Sequence, residues 1–411
     1  MANSFKVIDM VTREALRIAH EKLSFIGTVD RQYDESFKQN GKGKHGATLR
    51  VREPNQYTRR TGSRVMDVQD QAESSQTITV ATQDGVDMRF NSQELIQSVN
   101  SDSAFNDFSK NYIEPAVAVM CSGIESDFLA YATKATYNTA GTAGTPPTDL
   151  VAIGAARAKL NQYLAPKDGN RCIQMDSVTM GGLVNGLKGL FQDSEQIKKQ
   201  YREGLIGRTG GSDFYENERI WTMTNGSDVT GTTDAAALVT DGGTTVEFDG
   251  TIAVAQQKVG QVFTIAGVYA CHPETKAAYS HLQQFTIVSV GATSTTISPA
   301  TILTGAKKNV VTSTGGTLLT TDFNSQTLTF VGSASTSYAQ NLMYHKEAFQ
   351  FITADLPIMG DADKCVRRNS DGLSLRVWQG SDIRNDEMLL RIDILYGMAA
   401  LRPQWACRIT N

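Results

Sequence analysis

Apolar positions recur with two different periods along this chain. In residues 4–23, Phe5, Ile8, Val11, Ala15 and Ile18 fall on one stripe at helical spacing, which predicts an amphipathic helix. Residues 24–46 carry no period and end in Asn-Gly-Lys-Gly-Lys-His-Gly, the pattern of an extended arm with a flexible end. The period then becomes two. In ATLRVRE, Ala47, Leu49 and Val51 alternate with Thr48, Arg50 and Arg52; in QTITVAT, Ile78 and Val80 alternate with Thr77 and Thr79. Roughly twenty polar residues lie between them, so a long hairpin with a mobile tip is expected. A two-stranded arm is marginal alone in water. Its strands are expected to lean on something else, and a neighbouring copy of the chain is the economical candidate.

Helical spacing returns after residue 91. Residues 92–99 predict a short helix, and a longer one is expected from an N-cap at Asp102 or Ser103 to about Thr136, with Val117, Met120, Ile124, Phe128 and Tyr131 on its stripe. Such an element would approach ~50 Å at ~1.5 Å per residue. Pro115 either kinks it or restarts it at a first-turn position. TAGTAGTPPT (139–148) reads as a linker loop. Asp149 then caps a helix LVAIGAARAKLNQY, RCIQMD predicts a strand, and SVTMGGLVNGLKGLF predicts a helix capped by Ser177. Near the end, GLSLRVWQ and EMLLRIDILYGMAAL read as strands, with Met388, Leu390, Ile392 and Ile394 facing one side.

Composition divides the chain further. Arg is absent from residue 220 to residue 366. From Met223 to Gln340, 11 of 118 residues are charged and 24 are Thr, whereas 71 of the remaining 293 are charged. The runs VFTIAGV, QFTIVSV, TTIS, NVVTS, TLLTT and QTLTFVG are separated by Gly and Ser, as in a compact β-barrel or sandwich. A break at both ends predicts a β-domain, residues 222–341, inserted into an α+β host with its own ends close together; the alternative reading is one long β-rich region of a single domain.

Charge narrows the function. With 39 Lys+Arg against 43 Asp+Glu the net charge is -4, which argues against a protein held to nucleic acid mainly by charge. No run reaches the ~20 apolar residues of a spanning helix, and the polar first thirty residues predict no secretory signal. Five cysteines at wide spacings, Cys121, Cys172, Cys271, Cys365 and Cys407, form neither a disulfide framework nor a tetrathiolate zinc pattern, and read as thiols buried in a reducing cytosol.

Motifs for chemistry fail one by one. Gly41, Gly43 and Gly46 match G-x-G-x-x-G, but a polar stretch precedes them and a strand follows, the wrong order for a dinucleotide fold. Cys271, His272 and His281 fit no metal-finger spacing and lack a fourth ligand. Asp361 and Asp363 begin a calcium-loop pattern without its Gly and terminal Glu. No nucleophile elbow occurs, and Asn225-Gly-Ser is a glycosylation sequon by pattern only. No enzyme, cofactor or metal is therefore expected. One charged feature is stronger: Lys42, Lys44, Arg50, Arg52, Arg59, Arg60 and Arg64 crowd 23 residues holding one acid, Glu53. Three readings stand: a solvated face, a nucleic-acid contact, and a basic arm docked on an acidic neighbouring subunit. Arg suits the last, because its planar fork pairs carboxylates bidentately.

The order of these elements resembles the major capsid proteins of tailed phages with the Hong Kong 97-type fold, and more narrowly the gene-5-type coat proteins of short-tailed phages that carry an insertion domain. TVDRQYDESF through GATLRVREPNQYTRRTG resembles the N-terminal arm entering the extended loop. FSKNYIEPAVAVMCSGIESDFLAY resembles the start of the spine helix, VFTIAGVYACHPETKAAYSHLQQFTIVSV the core of the inserted barrel, and LRIDILYGMAALRPQW the closing strand. The resemblance implies an N-terminal arm (1–46), an extended loop (47–85), a peripheral domain with spine helix (86–139 and 366–411), an axial domain (140–221 and 342–365) and an inserted all-β barrel (222–341). It implies an icosahedral shell of pentamers and hexamers around double-stranded DNA, held non-specifically. Its implied partners are further copies of itself, a scaffolding protein and a portal protein, with a decoration protein left open and no membrane. Assembly would take place in the host cytoplasm, and the product would be the virion capsid. Arg50, Arg52, Arg59, Arg60 and Arg64 of the extended loop are the expected intersubunit contacts. Two other classes remain to be weighed: an encapsulin-like protein compartment, and a β-rich binding module of a tail or surface.

Overall fold

Which alternating segments become strands is decided by whether a partner covers one face. The computed structural model describes residues 11–19, 23–31, 48–62, 64–66, 68–69, 73–91, 109–187, 207–234, 240–249, 253–358, 364–370 and 372–411. The short helix 92–99, the caps Asp102 and Ser103, the glycines 41–46, Lys42, Lys44, Asp361 and Asp363 lie outside these residues. In chain order the strands are β1 (Thr48–Arg52), β2 (Ser75–Thr79), β3 (Thr82–Asn91), β4 (Thr139–Ala140), β5 (Arg171–Met175), β6 (Arg208–Thr209) and β7 (Ser212–Glu216). They continue as β8 (Thr222–Thr224), β9 (Thr230–Thr233), β10 (Gly243–Asp249), β11 (Val262–Cys271), β12 (Ala278–Val290), β13 (Ser294–Thr301) and β14 (Val310–Val311). The last are β15 (Thr327–Phe330), β16 (Ser337–His345), β17 (Phe349–Ala354), β18 (Lys364–Ser370), β19 (Leu373–Asp382), β20 (Glu387–Ala400) and β21 (Ala406–Thr410). The chain packs as two units, one of Met1–Val51, Gln76–Phe128 and Phe349–Ala399, the other of Arg52–Ser75, Leu129–Ala348 and Ala400–Asn411.

In the first unit β20 lies between β3 and β19, with β18 beyond β19 and β17 also on β20. Its central place buries Leu390, Ile392, Ile394 and Tyr396, while Met388, expected on that face, is half-buried near the strand's start. Residues 11–19 form a helix that buries Val11, Ala15 and Ile18, three of the five stripe positions; Phe5 and Ile8 fall outside the described residues. The spine helix runs Glu114–Ala135 behind a π turn, Ser109–Ile113, so Pro115 occupies a first-turn position and does not kink it. At 1.5 Å per residue its 22 residues span roughly 33 Å; the expected start of the longer element, at residues 102–108, lies outside the described residues. Val117, Met120, Ile124 and Phe128 are buried, and Phe25, Phe128, Phe349, Phe351 and Tyr396 form a chain of rings 4.9–6.3 Å apart.

One buried carboxylate holds the N-terminal segment to that helix. Glu125, wholly buried, accepts hydrogen bonds from the Ser24 amide (3.3 Å), the Ser24 hydroxyl (2.8 Å) and the Phe25 amide (2.7 Å), at the start of the short helix Ser24–Thr28. These amides have no partner within their own helix, and the negative charge sits at its positive end. Glu125→Gln turns one acceptor oxygen into a donor facing donors. We expect it to cost about 1–3 kcal/mol, read as a lower denaturant midpoint of the full chain; an unchanged midpoint would contradict this role.

In the second unit a mixed sheet runs β4-β21-β16-β5-β7-β6, and β8 also pairs β16. Asp149 accepts from the Val151 amide at 3.0 Å and caps the helix Leu150–Gln162, as expected, and Ile153, Ala156 and Leu160 pack on the sheet. The next helix, Ser177–Leu187, takes its cap one residue earlier than expected: Asp176, not Ser177, accepts from the Thr179 amide. Tyr131, expected on the spine stripe, is 39% exposed; Leu129 and Ala132 are buried in that last part of the helix instead. The C-terminal strand β21 pairs β16 antiparallel and β4 parallel, so it joins the sheet that also holds residues 171–175, one strand beyond β16, and groups apart from the segment 366–399 that the expected boundary placed it with. Likewise β17, placed with residues 342–365 from the sequence, pairs β20.

The Thr-rich segment forms a sheet ordered β12-β13-β10-β9-β15-β11-β14, and β12 also pairs β11, so the order returns to its start. Phe263, Phe285, Phe323, Leu328 and Ile287 are fully buried at its centre. The two ends of the segment pair directly, Met223 opposite Tyr338. TLLTT, expected as a strand, ends in a 3-10 turn, Thr320–Phe323, because Asp322 accepts from the Leu319 amide (2.7 Å) and returns its own amide to the Leu319 carbonyl. β9 and β10 carry too few apolar residues to show a period and were not expected.

Candidate assembly surface

The hairpin of β1 and β2 makes a two-stranded sheet of its own. Its alternation works as expected: Leu49 and Val51 are half-buried and Ile78 and Val80 buried, which leaves Arg50 and Arg52 exposed on the other face. Past the strands the limbs are held by sparse polar contacts. The Thr58 amide donates to Gln69 Oε1 (2.9 Å), and Gln69 Nε2 donates back to the Thr58 carbonyl (2.7 Å). At the base, Lys307 Nζ donates to Ser74 Oγ (2.7 Å), which donates to Glu53 Oε2 (2.6 Å).

All five predicted contact arginines are exposed. Arg52 stands 3.7 Å from Glu73, both solvated, a pair worth about 0–1 kcal/mol. Arg60 donates to the Val65 carbonyl, which fixes the turn and leaves the rest of its fork outward. Arg50, Arg59 and Arg64 have no ion-pair partner among the described residues. Sequence reasoning missed the apolar half of this surface. Tyr57 is 57% exposed, Val65 76%, Met66 79% and Val68 77%. Three of these four fall within four consecutive positions, the only signal available for them, and an exposed apolar cluster rimmed by charge is how interaction sites look.

The discarded chemical motifs have local duties. His272 Nδ1 accepts from the amides of Glu274 and Thr275 and closes a turn. His281 stacks on Tyr279 at 5.4 Å; burial, with the Lys159 charge adding to it, lowers its pKa to about 4. All five cysteines are free, four of them buried. Among the described residues no group of three or more His, Cys, Asp or Glu is arranged to hold a metal, and no helix is long and apolar enough to cross a membrane.

A protein-family model described as P22 coat protein, gene protein 5, matches residues 97–408. No curated protein matches the chain. Among solved structures, that of Mycobacterium phage Che8 is similar with 11% identity and a TM-score of 0.47, covering 94% of this chain and 90% of that one. The capsid of Ralstonia phage GP4 is similar with 7% identity and a TM-score of 0.47, covering 93% and 87%. A virus-like particle from Pyrococcus furiosus is similar with 6% identity and a TM-score of 0.40, covering 98% of each chain.

Proposed function

Since the chain belongs to the P22 coat protein family, it is a phage major capsid protein that self-associates into the shell of the virion, and we propose how its parts do so. The chain takes the Hong Kong 97-type fold, with residues 222–341 as an inserted β-barrel domain; the axial domain is 140–221 and 342–348 together with 400–411, whose β21 joins the sheet of β16, and the peripheral domain is 86–139 with 349–399, whose β17 pairs β20. The extended loop clamps a neighbouring subunit through Arg50, Arg52, Arg59, Arg60 and Arg64, with Val65, Met66 and Val68 as the apolar contact beside them. The supporting observation is a hairpin whose basic and apolar side chains are exposed together at its tip. Modest contacts repeated around a closed shell become strong through multivalency. Assembly proceeds in the host cytoplasm around a scaffolding protein, with a portal at one vertex; the packaged double-stranded DNA is confined by a wall of net charge -4 per subunit and not gripped by it.

Co-expression with a scaffolding protein is expected to give closed, uniform shells by negative-stain microscopy. Soluble monomers alone under every condition would reject the reading. The shell is further expected to be non-covalent. No Lys occurs from His45 to Ser109, so the loop strands and tip lack an amine that could weld to a neighbour's amide side chain. Mature particles boiled in detergent should run as one band of monomer mass, and a ladder of heavier bands would overturn this.

A further inference from the structure

Lys307 lies in the loop 302–309 that joins β13 to β14 in the Thr-rich segment, yet it bonds outside that segment. Its Nζ donates to Ser74 Oγ at 2.7 Å, and Ser74 Oγ donates to Glu53 Oε2 at 2.6 Å. The Glu53 amide donates to the Ser74 carbonyl at 2.9 Å, so the three residues meet where the two limbs of the hairpin leave β1 and β2. Lys307 makes no direct ion pair among the described residues; Glu53 answers its charge through the Ser74 hydroxyl. All three residues are half-buried. Hydrogen bonds that carry a charge and are partly shielded from water are stronger than neutral, exposed ones.

The loop that presents Lys307 is cross-braced. Asn309 closes its neck: its amide donates to the Ile302 carbonyl (3.0 Å), its Oδ1 accepts from the Ile302 amide (2.9 Å), and its Nδ2 donates to the Ala300 carbonyl (2.7 Å). Asp241 accepts from the Leu303 amide (2.6 Å) and the Thr304 hydroxyl (2.8 Å). Beside Lys307, the Lys308 carbonyl accepts from Lys276 Nζ (3.2 Å). Holding Lys307 in place therefore costs little further ordering. The hairpin limbs are braced more thinly, by the Arg52–Glu73 pair and the Thr58–Gln69 contacts, and a two-stranded ribbon is marginal alone in water. Residues Arg52–Ser75 also pack in the same unit as the Thr-rich segment, whereas residues 48–51 and 76–79 of the strands belong to the other.

We propose that the loop 302–309 is a strut that holds the hairpin limbs through Lys307, Ser74 and Glu53, and so poises the tip, with Arg59, Arg60 and Val65, Met66 and Val68, for a second copy of this chain. The second half rests on the clamp reading above. An arm already held in place pays less ordering on binding than a loose one, so the Thr-rich segment acts on assembly through the stiffness of the arm.

The test is hydrogen exchange of the full-length monomer, read by mass spectrometry on the peptides that contain Glu53 and Ser74. Lys307→Met removes the charge and keeps the length of the stem. Glu53→Gln breaks the same relay from the hairpin side and leaves the loop 302–309 untouched. Each should speed exchange about tenfold, the worth of one charge-assisted hydrogen bond, with the thermal midpoint of the chain kept. The two together should be no faster than the faster of them, because they belong to one relay; fully additive effects would overturn the relay. Exchange within about twofold of wild type in both single variants would overturn the strut. Lys307→Met is also expected to need a higher subunit concentration to close shells. Faster exchange with wild-type assembly would overturn the poising of the tip. The Arg59→Glu, Arg60→Glu variant then separates the causes: normal shells mean that the clamp itself has failed, and absent shells mean that the clamp works without the strut.

Discussion

Arg59→Glu combined with Arg60→Glu is expected to leave the monomer folded and to abolish shell closure. Both residues are exposed in the hairpin tip, and neither has an ion pair among the described residues. Their replacement therefore costs the monomer little. At a neighbour's acidic surface the change has opposite consequences. A desolvated Arg–carboxylate contact costs ~2–5 kcal/mol when truncated, and juxtaposed like charges cost several more. Even exposed pairs at ~0–1 kcal/mol accumulate over every subunit of a shell. Circular dichroism should match wild type while microscopy shows no closed particles, and high salt should weaken wild-type assembly. If the double variant forms normal empty shells and fails only to retain DNA, the loop is a nucleic-acid arm and not a clamp.

Asp393→Ala is expected to be the most destabilising single substitution in the first unit, at about 3–5 kcal/mol. Asp393 is wholly buried on β20 and stands directly opposite Arg376 of β19, with the guanidinium 2.6 Å from its carboxylate. A second arginine, Arg391, reaches the same carboxylate at 2.7 Å from the surface. On the other side β3 passes so close that a Cβ on Gly85 would lie 2.7 Å from Asp393 Oδ1. Removing the carboxylate leaves Arg376, among the described residues, with the Pro357 carbonyl and the face of the Trp378 ring (5.7 Å) in place of a counter-charge, and its Nε already unsatisfied. Replacing both partners, Arg376→Met with Asp393→Leu, should recover most of the loss, because no buried charge then remains. Chemical denaturation of the three variants decides it. A single variant within 1 kcal/mol of wild type (an order-of-magnitude threshold) would show that the pair is solvated in solution.

The sequence by itself determined the elements whose side-chain period matches their own burial. Ile153, Ala156 and Leu160 behind the Asp149 cap, the alternation Leu390, Ile392 and Ile394, and the cores of β11, β12 and β15 were legible for that reason. So was the outward row Arg50 and Arg52, since alternation places residues as surely on the wet face as on the dry one. The composition break at residues 222–341 was also visible, and its ends indeed pair through β8 and β16. Tertiary structure alone decided the rest. Thr-rich β9 and β10 are strands because β15 and β13 supply their backbone partners, whereas TLLTT, the more apolar run, is diverted into a turn by Asp322. The last strand joins the sheet of β16 and β4, pairing Arg408 with Leu342, 66 residues away, and with Thr139, 269 residues away, which no local period encodes. Glu125 and Asp393 read as ordinary charged residues in the sequence. Their burial depends on which donors the folded chain brings around them, and a buried charge has no period along the chain.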